Sequence, residues 1–151
     1  MRTDSMWVDR GVLVLRAALG VVFVMHGWQK LFVFGPEGVA GMFASLGIPW
    51  PQLTALAVAT VELGGGLAIL AGAATRILAA ILAVVMAVAA LTVHLPHGFF
   101  LPQGYEFTLA LGLSAIALVM TGAGRYSIDA AIRDRRAAAT DGGEADLKVA
   151  A

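Results

Sequence analysis

Four ionisable side chains that could bind a ligand lie in or next to segments that are mostly apolar. His26 and Lys30 lie in the first such segment, Glu62 lies near the middle of the second, and His94 ends the third. If these segments cross a bilayer, a charge near its centre costs about 2.5 to 3.5 kcal/mol, so these groups are expected to turn inward and to pair. An ammonium, a carboxylate and two imidazoles held together could bind a carbonyl or hydroxyl oxygen. These four residues are our candidate ligand-binding residues.

The composition is that of a membrane protein. Of 151 residues, 60% are hydrophobic and 13% are charged, whereas about 25% are charged in an average soluble domain. The formal net charge is zero and no basic run is interleaved with aromatic residues, so a nucleic-acid partner is excluded. The chain has no cysteine, which removes thiolate nucleophiles, disulfides and thiolate-bound metals. We expect no metal site.

Four segments are long and apolar enough to span a membrane, since an α-helix rises about 1.5 Å per residue through a core of about 30 Å. They lie at about 12–34, 53–71, 76–93 and 106–121. The fold class is therefore an all-α integral membrane protein, a four-helix bundle that runs up and down. Residues 1–11 are predicted to be a short polar lead, and 131–151 a largely disordered tail. The proline-rich stretch 35–52 suggests a loop with an interfacial helix.

The positive charges outside the apolar segments predict the orientation. They lie in the N-terminal lead, in the turn at Arg76 and in the C-terminal tail, whereas the two longer loops hold none. Because Lys and Arg favour the cytoplasmic side, both termini are predicted to be cytoplasmic. The acidic residues Asp4 and Asp9 and the length of the first apolar run do not suit a cleaved signal peptide, so the first span is expected to be retained.

The depth of each charge within its span indicates which ones meet. With span midpoints placed at the bilayer centre, Glu62 lies near zero, Lys30 about 10 Å to the outer side and Arg16 about 10 Å to the inner side. Side chains lean toward their helix N-terminus, so Lys30 and Glu62 converge while Arg16 leans away. We therefore favour a pair of Lys30 with Glu62. Two alternatives stay open: Arg16 and Lys30 could snorkel to opposite interfaces, or the pair could serve packing alone.

Two histidines on different helices raise the question of haem. His26 and His94 differ by about 7 to 8 Å in depth, more than a haem with two histidine ligands tolerates comfortably, so haem is disfavoured. His26 could equally be a core histidine satisfied by a carbonyl or by Glu62. The glycine run 64–66 lies inside a span and is typical of helix packing rather than of a nucleotide site. The chain carries no self-sufficient catalytic motif, so whether it is an enzyme stays open.

Short motifs spaced over residues 12–130 resemble the DoxX family. They are Leu15-Arg16, Leu19-Gly20, His26-Gly27, Lys30-Leu31, Glu62-Leu63, Gly65-Gly66, Arg76 and the run Gly124-Arg125-Tyr126-Ser127-Ile128-Asp129. The resemblance implies a small four-helix protein of the bacterial inner membrane, similar to the membrane subunit of a thiosulfate:quinone oxidoreductase. It also implies soluble redox partners, such as the superoxide dismutase and the sulfurtransferase associated with mycobacterial relatives.

These observations lead to a functional hypothesis with two rivals. The leading one is a membrane subunit of a quinone-linked redox complex, which has no intrinsic cofactor and binds its ligand in a buried polar pocket. The first rival is a carrier of a small apolar or sulfur-containing molecule, and the second is a non-catalytic anchor for a soluble partner. A homo-oligomer is compatible with each. Six further residues are structural or outer candidates: Arg16, Arg76, Glu106, Arg125, Tyr126 and Asp129.

Overall fold

The computed structural model describes the backbone of residues 2–149 and the side chains of residues 5–140. Six α-helices account for most of it. The helices are α1 (Arg2–Trp28), α2 (Gly35–Ser45), α3 (Pro51–Ala71), α4 (Thr75–Ala89), α5 (Glu106–Thr121) and α6 (Ile128–Val149). A π-helical turn extends α1 and another extends α4, and a short 3-10 turn follows the second of these. The π turns are Gln29–Val33 and Ala90–His94, and the 3-10 turn is Leu95–His97.

The helix boundaries agree with the predicted segments in the middle of the chain and differ at both ends. Pro51 opens α3, as a residue without an amide hydrogen can at a first helical turn, and Gly72 ends it at a φ of 72°. Residues 2–11, predicted to be a polar lead, continue α1 toward the N-terminus. Residues 131–149, predicted to be largely disordered, lie in α6. The side chains of 131–140 are exposed, so strong local helix formers such as the alanines at 137–139, rather than burial, favour helix there.

One hydrophobic core draws on four of the helices. Leu19 and Phe23 of α1 meet Ile69 of α3, Leu82 of α4 and Leu118 of α5 there, all at 2% exposure or less. The most extensive packing joins α1 to α3 and α4 to α5. A smaller cluster, Val39, Ala40 and Phe43 with Ala55, packs α2 against the first turns of α3. The stretch 35–52 therefore contains a helix, as predicted, and this helix packs against α3.

Glycines let α1 and α3 approach each other closely. A Cβ atom added at Gly20 would lie 2.9 Å from the carbonyl oxygen of Gly66, and one added at Gly66 would lie 2.8 Å from the amide nitrogen of Val24. A Cβ at Gly27 would overlap the backbone of Leu63. Small residues at such a seam are the usual means of close helix packing in membranes.

Replacing Gly27 with Ala is expected to destabilise the protein by about 1 to 3 kcal/mol, because the added methyl group meets backbone rather than a flexible side chain. Gly64→Ala is the matched control on α3, since nothing lies within 4 Å of its Cβ position. That change should be neutral or stabilise by about 0.5 to 1 kcal/mol through helix propensity. Thermal unfolding in detergent measures both changes. Equal effects of the two substitutions on the unfolding temperature would contradict the close packing of α1 against α3 at Gly27.

Two helices in the described part of the chain are long and apolar enough to cross a membrane. They are Pro51–Ala71 and Thr75–His97, the second including its π and 3-10 turns, and Glu106–Thr121 is a shorter apolar helix. Large hydrophobic side chains on these helices are exposed, among them Leu53, Leu67, Ile77, Val84 and Leu113. An apolar exterior on helices of that length is typical of a protein solvated by lipid.

Candidate functional site

A cavity of about 550 Å³ lies at the end of the molecule where α1 and α4 finish in their π turns. We call it the α2-side cavity, because Met42 and Phe43 of α2 line it. Its walls are mostly apolar and come from α1, α2, α3, α4, α5 and the loop before α5. The larger polar side chains along it are His26, Gln29, Lys30, Glu62 and His94. All four candidate ligand-binding residues therefore line one space.

Lys30 and Glu62 form an ion pair at the wall of this cavity. The Nζ atom of Lys30 donates to Oε2 of Glu62 over 2.5 Å, and Glu62 is 2% exposed. The predicted contact is thus confirmed, and Lys30 does not extend away to an interface. Glu62 comes from the middle of α3, whereas Lys30 lies in the π turn after α1. The pair joins an ammonium donor and a carboxylate acceptor inside an apolar enclosure, where such groups act strongly on a polar ligand.

His26 presents its second ring nitrogen for a hydrogen bond. Its Nδ1 atom lies 2.9 Å from the carbonyl oxygen of Val22, and because a carbonyl only accepts, Nδ1 carries the proton. In the neutral ring, Nε2 is then an acceptor. The ring centroid lies 6.1 Å from that of Phe107, which also lines the cavity. The sequence allowed a carbonyl or Glu62 as the partner of His26, and the carbonyl of Val22 is the observed one. Nε2 stays available to accept a hydrogen bond from a ligand.

His94 connects the cavity to the loop before α5. Its Nδ1 atom lies 2.7 Å from the carbonyl oxygen of Gln103, so it donates there by the same reasoning. Glu106 accepts a hydrogen bond of 2.6 Å from the amide of Leu101. Leu101, Pro102 and Gly104 are cavity-lining residues whereas Glu106 is not. Glu106 therefore shapes the loop that covers the cavity and does not itself line it.

Features that sequence reasoning missed also build the cavity. The π turns Gln29–Val33 and Ala90–His94 each hold one candidate residue, Lys30 and His94. Such turns are frequent at functional sites, because the extra residue per turn redirects side chains. Gln29 adds an amide beside Lys30. The position of Gln29 next to Lys30 at the end of an apolar segment could have identified it from the sequence. No sequence pattern would have identified the π turns.

Arg16 lies away from this cavity and does not snorkel. It is 1% exposed, and its guanidinium donates four hydrogen bonds to backbone carbonyls. Nε bonds to Ile69 at 2.9 Å, Nη2 to Leu70 at 2.7 Å, and Nη1 to Ala123 at 2.8 Å and Tyr126 at 2.7 Å. Ile69 and Leu70 are in the last turn of α3, where carbonyls run out of helical partners, although that of Ile69 also accepts a bond of 3.1 Å from the amide of Gly72. Arg16 therefore joins three separate parts of the chain, and its snorkelling alternative is wrong.

The segment 124–129 adds further contacts to those of Arg16. We call the whole set, which joins Arg16, the end of α3, the start of α4 and the segment 123–129, the Arg16 clamp. Both carboxylate oxygens of Asp129 accept backbone hydrogen bonds, from Ala74 at 2.8 Å and from Thr75 at 2.9 Å, at the start of α4. This is helix capping by an acidic side chain. Tyr126 contributes its carbonyl to Arg16, and the amide of Arg125 bonds to Asp9. These candidates make structural contacts at the opposite end of the core from the α2-side cavity.

The pKa of Asp129 predicts an acid-sensitive clamp. Burial alone would raise this pKa, but the amides of Thr75 and Ala74, the Thr75 hydroxyl and the charge of Arg16 outweigh it, so the pKa is lowered from 3.8. A lowered pKa stabilises the folded state fully above 3.8, and this contribution is lost as the pH falls below 3.8 through the folded value. Asp129→Asn should unfold at a lower temperature than wild type, with a gap that narrows below pH 3.8. A constant gap in thermal scans would contradict this.

Comparison with known proteins identifies relatives along most of the chain. The family model described as DoxX matches residues 11–95, which include His26, Lys30, Glu62 and His94. The chain is 35% identical over 119 residues to "Putative oxidoreductase CatD" of Bacillus subtilis (strain 168), covering 79% of this chain and 84% of that protein. No solved structure matches it.

Two further relatives are named as membrane proteins. Inner membrane protein YqjF of Escherichia coli (strain K12) is 36% identical over 125 residues, covering 80% of this chain and 91% of that protein. Uncharacterized membrane protein Rv3486 of Mycobacterium tuberculosis (strain ATCC 25618 / H37Rv) is 31% identical over 140 residues, covering 84% of each.

Proposed function

This chain belongs to the DoxX family of membrane proteins, and from that premise we propose that its α2-side cavity binds the carbonyl-bearing head group of a quinone-like ligand. The observation that carries the proposal is the convergence of His26, Lys30, Glu62 and His94 on one apolar cavity. Ligand sites of small molecules are of this kind, with mostly apolar walls and a few convergent polar groups. The ammonium of Lys30 is the donor for a carbonyl oxygen, and Nε2 of His26 is the acceptor for a hydroxyl.

The cavity suits a compact head group better than a whole lipid. A volume of about 550 Å³ falls within the range of about 300 to 1,000 Å³ that small-molecule sites occupy. Phe23, Phe43 and Phe107 are among the aromatic lining residues, against which a flat ring system can stack. A neutral ring with carbonyl groups satisfies both the apolar walls and the polar residues. A free anion would make favourable contacts with the polar residues but not with the apolar walls.

We further propose that α1, α3, α4 and α5 cross the bacterial inner membrane, with both termini in the cytoplasm. The order of charge along the chain supports this, because Arg16 and the arginines of α6 lie at the clamp end while the cavity end holds the two loops without Lys or Arg. The cavity would then open on the outer side. A periplasmic reporter fused to the C-terminus should be inactive. An active fusion would show that the C-terminus lies on the periplasmic side and would contradict the proposed orientation.

We propose a redox role because the Bacillus subtilis relative is named as an oxidoreductase. In this proposal the chain supplies the site for the quinone-like ligand, and a soluble redox protein supplies the electrons. The chain then works as a subunit without a cofactor of its own. The rival role is a carrier of small apolar molecules, which the apolar majority of the cavity wall favours.

One matched pair of probes separates the two roles. Menadione is a compact naphthoquinone, and methylnaphthalene is its counterpart without carbonyl groups. Titrated into purified protein in detergent, menadione should bind more tightly than methylnaphthalene, because Lys30 donates to a carbonyl oxygen. His26→Leu should weaken the binding of menadiol, the reduced form whose hydroxyl groups can donate to Nε2, by roughly tenfold, the value of about one hydrogen bond to a polar partner. His97→Leu is the matched control, because His97 is exposed and does not line the cavity.

Each outcome of this titration distinguishes between the proposals. Equal affinity for menadione and methylnaphthalene, together with menadiol binding that His26→Leu leaves unchanged, would favour the carrier. Binding of neither probe would overturn the cavity as a site for ring ligands. An absorption spectrum and an analysis of extracted ligands on the same preparation would identify any quinone or haem that co-purifies.

A further inference from the structure

A second cavity, of about 850 Å³, opens where α4 begins and α5 ends. We call it the α6-side cavity, because Asp129, Ala130, Arg133 and Asp134 of α6 line it. It lies beside the Arg16 clamp and is separate from the α2-side cavity. The proposed quinone site makes no use of it.

The carboxylates along this cavity are already engaged. Asp129 accepts bonds from two backbone amides with its two oxygens, and Asp9 accepts a bond of 3.0 Å from the amide of Arg125. Asp134 lies 3.6 Å from Nε of Arg133 in an exposed ion pair. These three acidic residues therefore serve the backbone or a neighbouring arginine.

Two cations along the same cavity are not engaged in this way. Among residues 5–140, the guanidinium groups of Arg76 and Arg125 form neither a hydrogen bond nor an ion pair. The guanidinium of Arg76 lies against the backbone of Gly122, where an added Cβ would be 3.1 Å from Nε and 3.6 Å from Cζ. Arg76 is thus held over the end of α5 at the cavity wall. Two unpaired guanidinium groups at one cavity favour an oxyanion.

An apolar strip leads away from this pair of arginines. Ile77, Ile81 and Val84 of α4 are 67%, 40% and 63% exposed, and their spacing places them on one face of the helix. A phospholipid bound with its phosphate at Arg76 could lay an acyl chain along this strip. We propose that the α6-side cavity binds a phosphate group through Arg76 and Arg125, carried either by an anionic phospholipid or as free phosphate.

The experiment measures the unfolding temperature of the full chain in detergent against added phosphatidylglycerol, phosphatidylcholine or inorganic phosphate. Phosphatidylglycerol or inorganic phosphate should raise the unfolding temperature, and added salt should weaken the effect. Replacing Arg76 and Arg125 by Gln together should raise the concentration needed for half of the effect by roughly tenfold or more. The matched control replaces Arg135 and Arg136 by Gln, which are exposed and do not line the cavity.

The two sources of phosphate give different results. If phosphatidylglycerol alone raises the unfolding temperature, the site is assigned to a lipid head group. If inorganic phosphate raises the unfolding temperature by the same amount, the site is assigned to free phosphate. Without ligand, the Arg76 and Arg125 double variant should unfold close to wild type, because neither guanidinium has a partner to lose. No rise with either probe would overturn the proposal. So would a rise that the double variant retains in full, or one that phosphatidylcholine matches.

Discussion

Replacing Lys30 by Met or Glu62 by Gln is expected to lower the free energy of unfolding by about 3 to 5 kcal/mol each. Each change leaves the partner of a buried ion pair without its counter-charge, and Glu62 is 2% exposed. The double substitution should recover much of the loss, with a coupling energy of about 1 to 3 kcal/mol between the two sites. Thermal or denaturant unfolding in detergent of the four proteins in the cycle provides this coupling energy.

An exposed ion pair of the same chain serves as the control. Arg133 and Asp134 lie 3.6 Å apart with side chains 72% and 74% exposed, and such pairs contribute little to stability. Neutralising either one should leave the unfolding temperature nearly unchanged. Additive losses for Lys30 and Glu62 would show that the two charges are not coupled in the folded protein.

The same variants separate packing from function. If the pair serves only packing, the double variant should bind menadione as wild type does once its stability returns. If the charges themselves hold the ligand, the double variant should fold but bind menadione at least roughly tenfold more weakly. Wild-type affinity in a folded double variant would remove Lys30 and Glu62 from the proposed site.

The features that could be predicted from the sequence are those dictated by the cost of burying charge in apolar segments. The cost of a lone charge in an apolar segment favoured a partner for Lys30 and for Glu62, and the lean of side chains along each helix indicated that these two charges would meet. The segment bounds followed from hydropathy, and the observed limits of α3 at Pro51 and Gly72 lie within two residues of the predicted 53–71. These rules depend on single helices and need no knowledge of how the helices pack.

The features that could not be predicted depend on packing between distant parts of the chain. The depth and lean of Arg16 turned it away from Glu62 and indicated no partner, whereas its observed partners are carbonyl oxygens as many as 110 residues away. The π turns require a choice of hydrogen-bond partner, such as Phe34 to Gln29, for which no local residue pattern is known. The α2-side cavity likewise exists only because five helices and a loop surround one space.

Replacing Arg16 by Met is expected to have an effect as large as the loss of the ion pair or larger. The change leaves the carbonyls of Leu70, Ala123 and Tyr126 without the donor that the structure provides, and leaves that of Ile69 with the amide of Gly72 alone. An unsatisfied buried polar group costs about 1 to 3 kcal/mol, so the combined loss is several kcal/mol even if water reaches some of these carbonyls. We expect little folded protein from Arg16→Met at the growth temperature.

Arg16→Lys tests whether the forked guanidinium is required. A lysine keeps the charge near the end of α3 and near Asp129, but its compact ammonium has three donors and cannot span acceptors on both α3 and the 123–126 segment as a fork does. We therefore expect Arg16→Lys to fold with an unfolding temperature between those of Arg16→Met and wild type. Arg10→Gln is the matched control on α1, because Arg10 is exposed and its guanidinium lies over the ring of Trp7, 5.0 Å from the centroid. Full wild-type stability in Arg16→Lys would show that the charge alone holds the clamp, and full stability in Arg16→Met would show that these carbonyls need no donor from this side chain.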